Sequence, residues 1–176
     1  MHAPIVTIKT HNDILRGISR EIALSEISSD HIRNVIARMS ASLKHTKDGI
    51  GIAAPQIGEP LRIFIASEEA LYGDEDRPEG KLKKDWKHFI FINPKIINTS
   101  KAIERGPEGC LSVPGVYGEV PRALKVRVRA FNEQGKIFER GASGLFARLM
   151  QHEVDHLNGT LFIDHATHTT TRGHEG

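Results

Sequence analysis

Five consecutive residues, His152-Glu153-Val154-Asp155-His156, have the types and the spacing to act on a water molecule. Side chains four apart on a helix share a face, so both imidazoles can reach one metal ion. Glu153 follows the first histidine and projects beside the position where the metal's water would sit. A metal lowers the pKa of such a water toward neutrality, and a neighbouring carboxylate can take its proton. Chance supplies this H-E-x-x-H pattern only about 0.04 times in a chain of this length and composition. The plainer alternative is a pair of core histidines satisfied by backbone carbonyls.

The third ligand decides the subclass. The extended pattern H-E-x-x-H-x-x-G-x-x-H holds as far as Gly159, but its last ligand position is Phe162, which cannot bind a metal. A thermolysin-type downstream glutamate is also missing, because only Glu175 follows. The ligand must come from upstream. The single cysteine, Cys110, lies in Glu108-Gly109-Cys110-Leu111-Ser112. One thiolate and two imidazoles make a three-ligand site with an open position for water. The alternative for Cys110 is a buried structural thiol, common for free cysteine. A third segment, Gly49-Ile50-Gly51-Ile52-Ala53-Ala54-Pro55-Gln56, alternates glycine with aliphatics and reads as a strand over which another backbone slides. It is neither a P-loop nor a dinucleotide fingerprint, since no Lys-Ser/Thr pair and no third glycine follow. A tightly packed strand and turn is its purely structural reading.

These segments need elements to position them. Leu145 to Leu157 reads as a helix stopped by Asn158-Gly159, with Leu145, Leu149, His152 and His156 along one face. An earlier helix runs from a Ser29 or Asp30 cap to about Leu43, with Ile32, Val35, Ile36, Met39 and Leu43 at helical spacing. Leu61 to Ala66 and Phe89 to Ile97 read as strands, Pro94 marking an edge or a bulge. Leu124 to Phe131 alternates cationic and apolar residues as a half-buried strand does. Asn132 to Gly135 is its hairpin turn and Lys136 to Arg140 the return strand. Tyr72 to Lys84 reads as a long surface loop, and 167–176 as a fraying tail. The expected fold is α+β: antiparallel sheets packed around a C-terminal helix carrying the H-E-x-x-H motif, with an N-terminal helix, in one domain spanning 1–176.

Composition narrows the function classes. Charged residues make up 26% and the net charge is +2, with no dense basic run, so specific nucleic-acid binding is not expected. No stretch approaches the roughly 18 apolar residues of a membrane span. One cysteine excludes an intramolecular disulfide and fits a reducing compartment. Met1-His2-Ala3-Pro4 does not open a signal peptide, so the default location is the cytoplasm, with an organelle left open.

The three segments, in this order and without a mismatch, resemble the peptide deformylase family, which carries G-φ-G-φ-A-A-x-Q, E-G-C-L-S and H-E-x-x-H. Flanks agree as well: Gln151, Leu157, Gly159 and Val120-Pro121-Arg122. The resemblance implies a metal-dependent hydrolase that removes the formyl group from the N-terminal formylmethionine of newly made polypeptides, releasing formate. It implies Cys110, His152 and His156 as metal ligands and Glu153 as general base and then acid. Gln56 and the backbone N–H of Leu111 would form an oxyanion hole. Ile50, Gly51 and Gly109 would pair with the extended peptide by backbone, and Leu145 and Leu149 would wall the methionine pocket. Ligand chemistry alone points to zinc. The resemblance implies ferrous iron as the native metal, with zinc, nickel or cobalt as substitutes, and a transient ribosome contact is compatible with the reaction. The 72–84 loop is longer than in compact bacterial members and the C-terminus is shorter. Two rivals use the same motif: a zinc endopeptidase, which needs a cleft open on both sides of the scissile bond, and a non-catalytic protein with a structural zinc, which needs a fourth protein ligand.

Overall fold

The computed structural model describes residues 2–72 and 76–171. Four helices are described, α1 (Asn12–Arg16), α2 (Asp30–His45), α3 (Gly144–Leu157) and α4 (Phe162–His165). Eight strands accompany them: β1 (Gly51–Ala53), β2 (Ile63–Ser67), β3 (His88–Thr99), β4 (Ile103–Cys110), β5 (Val113–Ala123), β6 (Lys125–Phe131), β7 (Ile137–Ser143) and β8 (Thr169–Thr171). They form a five-stranded sheet in the order β1-β2-β3-β6-β7 and a three-stranded sheet in the order β4-β5-β8, with every pairing inside the sheets antiparallel. This is the expected α+β architecture.

Strand β2 shows why the two long helices take opposite faces of the larger sheet. All five of its residues are buried. Ile63 and Ile65 point into a core shared with Ile32, Val35, Met39 and Leu43 of α2. Phe64 and Ala66 point the other way, into a core shared with Phe146, Leu149, Met150 and Leu157 of α3. A strand alternates its side chains between faces, so a strand with apolar residues on both must be covered on both. Helix α2 starts where Ser29 Oγ accepts the N–H of Ile32 at 3.3 Å, the expected cap. Helix α3 ends where Gly159 takes a left-handed φ of 73° and donates its N–H to His156 O. A Cβ at Gly159 would also lie 2.3 Å from Arg16 O, so glycine is required there twice over.

Several elements differ from the sequence expectation. At Pro94 the bulge, one of the two expected alternatives, is what forms; the differences lie elsewhere. Strand β3 lies between β2 and β6, its register shifts between Ile92 and Lys95, and Asn93 sits at φ 49°. The bulge spares the ladder the N–H that proline lacks. Strands β4 and β5 are the largest unexpected elements. They carry Gly106, Pro107, Gly109, Pro114, Gly115, Gly118 and Pro121, the residues that punctuate a sequence pattern. Thr169–Thr171, in the segment expected to fray, pair with Val116–Gly118 as the edge strand β8. Threonine is β-branched and suits an edge. The expected tail beyond Thr171 lies outside the described residues, as does part of the 72–84 loop. Among the described residues no helix is long and apolar enough to cross a membrane.

Candidate active site

Helix α3 presents His152 and His156 from its inner face, and strand β4 ends at Cys110 beside them. One donor atom from each lies within 4.8 Å of the others. Cys110 Sγ is 3.2 Å from His156 Nε2. His152 turns Nδ1 toward Glu108 Oε2 at 2.9 Å, which fixes the ring and leaves Nε2 for the cluster. Both histidines and Glu153 are buried. Glu153 Oε2 and His156 Nδ1 are buried without a hydrogen-bond partner among the described residues.

Electrostatics fit a divalent cation here. Burial pushes the Cys110 thiol up, but the imidazoles of His156 and His152 outweigh it and hold the thiol well below its usual value. Burial pushes His152 down, yet Cys110 and Glu108 draw it well above the ordinary imidazole range. The cluster therefore demands positive charge amid a thiolate and two carboxylates. A metal ion answers that demand with the soft and borderline donors present. Burial raises the Glu153 carboxyl to about 7, against the pull of His152 and His156. A carboxyl poised near neutrality can both take and return a proton.

Behind the three-donor cluster stands a buried ion network. Glu108 accepts two bonds from Arg122, Nε to Oε1 at 2.8 Å and Nη2 to Oε2 at 2.9 Å, and one from Arg148 Nη1 at 3.0 Å. Arg122 Nη1 also reaches Asp155 Oδ2, inside the motif, at 2.6 Å. Burial raises Glu108, but Arg122 and His152 outweigh it and hold the carboxyl at about 2. A permanent carboxylate behind His152 orients the ring and keeps it electron-rich.

The remaining expected residues converge on one cavity of about 570 Å³, lined by Ile50, Gly51, Gln56, Gly109, Leu111, Leu145 and Leu149 together with Cys110, His152 and Glu153. Gln56 Oε1 accepts the N–H of Ala53 at 2.8 Å, which turns Nε2 toward Cys110 Sγ at 3.5 Å and Ser112 Oγ at 3.3 Å. At Gly51 a Cβ would lie 2.5 Å from both Glu153 Oε1 and Leu149 Cδ1, so β1 crosses α3 at a distance only glycine permits. Strand β1 ends the five-stranded sheet, and among the described residues β2 is its one strand neighbour, which leaves the other edge of its backbone open to pairing. In the sequence Glu108 and Arg122 stand only as neighbours of the motifs, and nothing there points to Arg148. The one sequence signal for this network is a glutamate two residues before a metal-ligand candidate.

A family model described as Polypeptide deformylase matches residues 3–172. Among known proteins, the chain is 40% identical over 152 residues to a peptide deformylase of Mesorhizobium japonicum, covering 86% of this chain and 78% of that one. It is 36% identical over 168 residues to the chloroplastic peptide deformylase 1A of Solanum lycopersicum, covering 94% of this chain and 60% of that longer protein. Among solved structures, the Met-Ala-Ser-bound class I type b peptide deformylase from Acinetobacter baumannii superposes with a TM-score of 0.80 at 34% identity, over 93% of this chain and 99% of that one.

Proposed function

The chain belongs to the peptide deformylase family, and on that premise we propose how its own residues carry out the reaction. The reaction is hydrolysis of the formyl amide on the N-terminal methionine of new polypeptides, giving formate and a free amino terminus. Cys110, His152 and His156 would hold the metal. When bound, the ion supplies Lewis acidity toward water and the formyl oxygen. Glu153 takes the proton of the attacking water at its carboxylate and returns it to the leaving amine. Gln56 Nε2 and the Leu111 N–H donate to the oxygen on which charge develops, each such donor contributing about 3 kcal/mol of barrier reduction. Ile50, Gly51 and Gly109 pair with the peptide as an added strand, and Leu145 and Leu149 wall the methionine pocket.

The observation that carries this reading is the juxtaposition of a three-donor cluster, a buried carboxylate at Glu153 and a free strand edge at β1 along one cavity. The described residues offer three ligands and not the four of a structural zinc site, which favours hydrolysis over a scaffold role. The metal we propose in the cell is Fe2+, with Zn2+, Ni2+ or Co2+ as substitutes. The setting is the cytoplasm, or an organelle as for the tomato relative, with a transient contact to the ribosome that delivers the substrate. The test is formate release from a formyl-Met tripeptide by protein purified without oxygen and loaded with Fe2+ or Ni2+. Release that a chelator abolishes supports the reading. A stoichiometrically loaded protein that releases none overturns it.

A further inference from the structure

Among the described residues of the 72–84 loop, Lys83 reaches back to the site. Lys83 Nζ donates to the carbonyl of Gly49 and, at 2.7 Å, to Glu69 Oε2. Glu69 is buried, its side chain only 7% exposed, and it also pairs with Arg77 from the same loop. It stands in the short turn Glu68–Leu71 that follows β2, its own N–H bonded to Ser67 Oγ at 3.3 Å. The Ser67 N–H donates to Ile50 O at 2.7 Å. Lys83 thus ties the residue just before the free strand edge to a buried carboxylate in the neighbouring turn.

A glycine can be held only by its backbone, and its carbonyl is the handle taken here. A peptide unit is planar and trans, so the Gly49 carbonyl and the Ile50 N–H point in opposite directions. Fixing one fixes the other. The formyl end of a substrate must lie at Cys110 and Gln56, because the reacting groups are there. Strand β1 runs from Gly51 toward Gln56, so a peptide pairing with its edge leaves the metal cluster toward Gly49 and residues 46–48. All of these line the cavity. The residues that follow methionine therefore lie beside the stretch that Lys83 holds.

We propose that Lys83 is a positioning residue for the peptide substrate: anchored on Glu69, it holds Gly49 and thereby aims the Ile50 N–H and the start of β1 at the residues after methionine. This rests on reading β1 as the peptide-binding edge. Arginine can make both bonds, methionine neither. In protein loaded with Ni2+, Lys83→Met weakens calorimetric binding of the tripeptide Met-Ala-Ser about tenfold, the loss of roughly one charged hydrogen bond. It raises KM for formyl-Met-Ala-Ser by a similar factor, moves kcat less than about twofold, and affects formyl-Met alone less than the tripeptide. Lys83→Arg restores both constants. Should Lys83→Met fail to fold because Glu69 is left with Arg77 alone, the double variant K83M/E69M removes the buried carboxylate together with its lysine and is read the same way. Unchanged Met-Ala-Ser affinity, a loss confined to kcat, or an equal loss on formyl-Met and the tripeptide overturns the proposal. Wild-type protein inert on formyl-Met-Ala-Ser would instead overturn the underlying reading of the site.

Discussion

Arg122→Met is the perturbation that probes the site most deeply without touching a ligand. The guanidinium is 7% exposed and makes a two-bond fork on Glu108, whose side chain is 4% exposed, and a third bond on Asp155. Removing it leaves Glu108 with Arg148 and His152 and strips Asp155 of its closest cation. Breaking a buried pair on one side costs about 3–5 kcal/mol, because a charge stays buried without its partner. Arg148 still bonds Glu108, which places the expected loss near the lower end, about 3 kcal/mol. Glu108 orients His152, so slack there reaches the metal; loss of such a supporting contact typically weakens metal affinity about 10–100-fold. Urea unfolding of the metal-free protein measures the first effect and competition against a chelator measures the second. Glu108→Gln, alone and combined with Arg122→Met, closes a double-mutant cycle, and the coupling should be about 1–3 kcal/mol. If metal-free Arg122→Met loses less than about 1 kcal/mol, as exposed pairs do, and binds metal as tightly as wild type, the network is not the support described here.

Glu153→Gln should retain the metal and fold but lose about 10²–10⁴ in kcat, checked by metal analysis and formate release; near wild-type turnover removes Glu153 from proton transfer. Cys110→Ser should weaken binding of the metal or alter its reactivity, measured by chelator competition and turnover. Gly51→Ala should cost about 1–3 kcal/mol in thermal or urea unfolding and raise KM, because its Cβ would strike Glu153 and Leu149. His88 gives a pH dependence remote from the ligands: burial first, then Lys44 and Lys83, depress its imidazole to about 4. The unfolded chain then takes up the proton first. Its contribution is complete above about pH 6.5 and is lost as the pH falls toward 4. Since the ring is only partly buried, His88→Gln should remove about 1–2 kcal/mol of the stability difference between pH 7.5 and 5; an unchanged difference refutes the assignment.

What the sequence could disclose follows from where its constraints are local. The H-E-x-x-H spacing, the Ser29 cap and the Gly159 stop are set by residues within a turn of one another, so helices α2 and α3 were legible almost to their ends. Strand β2 was legible because both of its faces are buried and every residue is apolar or small. Strands β4 and β5 were not. Their glycines admit neighbouring groups: at Gly109 a Cβ would meet the Tyr117 ring at 2.9 Å, at Gly106 the Arg148 guanidinium at 2.9 Å, and at Gly118 the Ala166 side chain at 2.8 Å. Those are requirements of tertiary packing, and in a one-dimensional pattern they look like turns. The same distinction divides the site. Three of the proposed site residues, His152, Glu153 and His156, share one helix and announce themselves by spacing, and Cys110 stands out as the single cysteine. The Glu108–Arg122–Arg148 network and the Lys83–Glu69 tie join residues 14 to 40 positions apart, and no spacing encodes them. A charge that far from its partner shows itself in sequence only as an ordinary surface residue. Its burial is what gives it a role, and burial belongs to the fold.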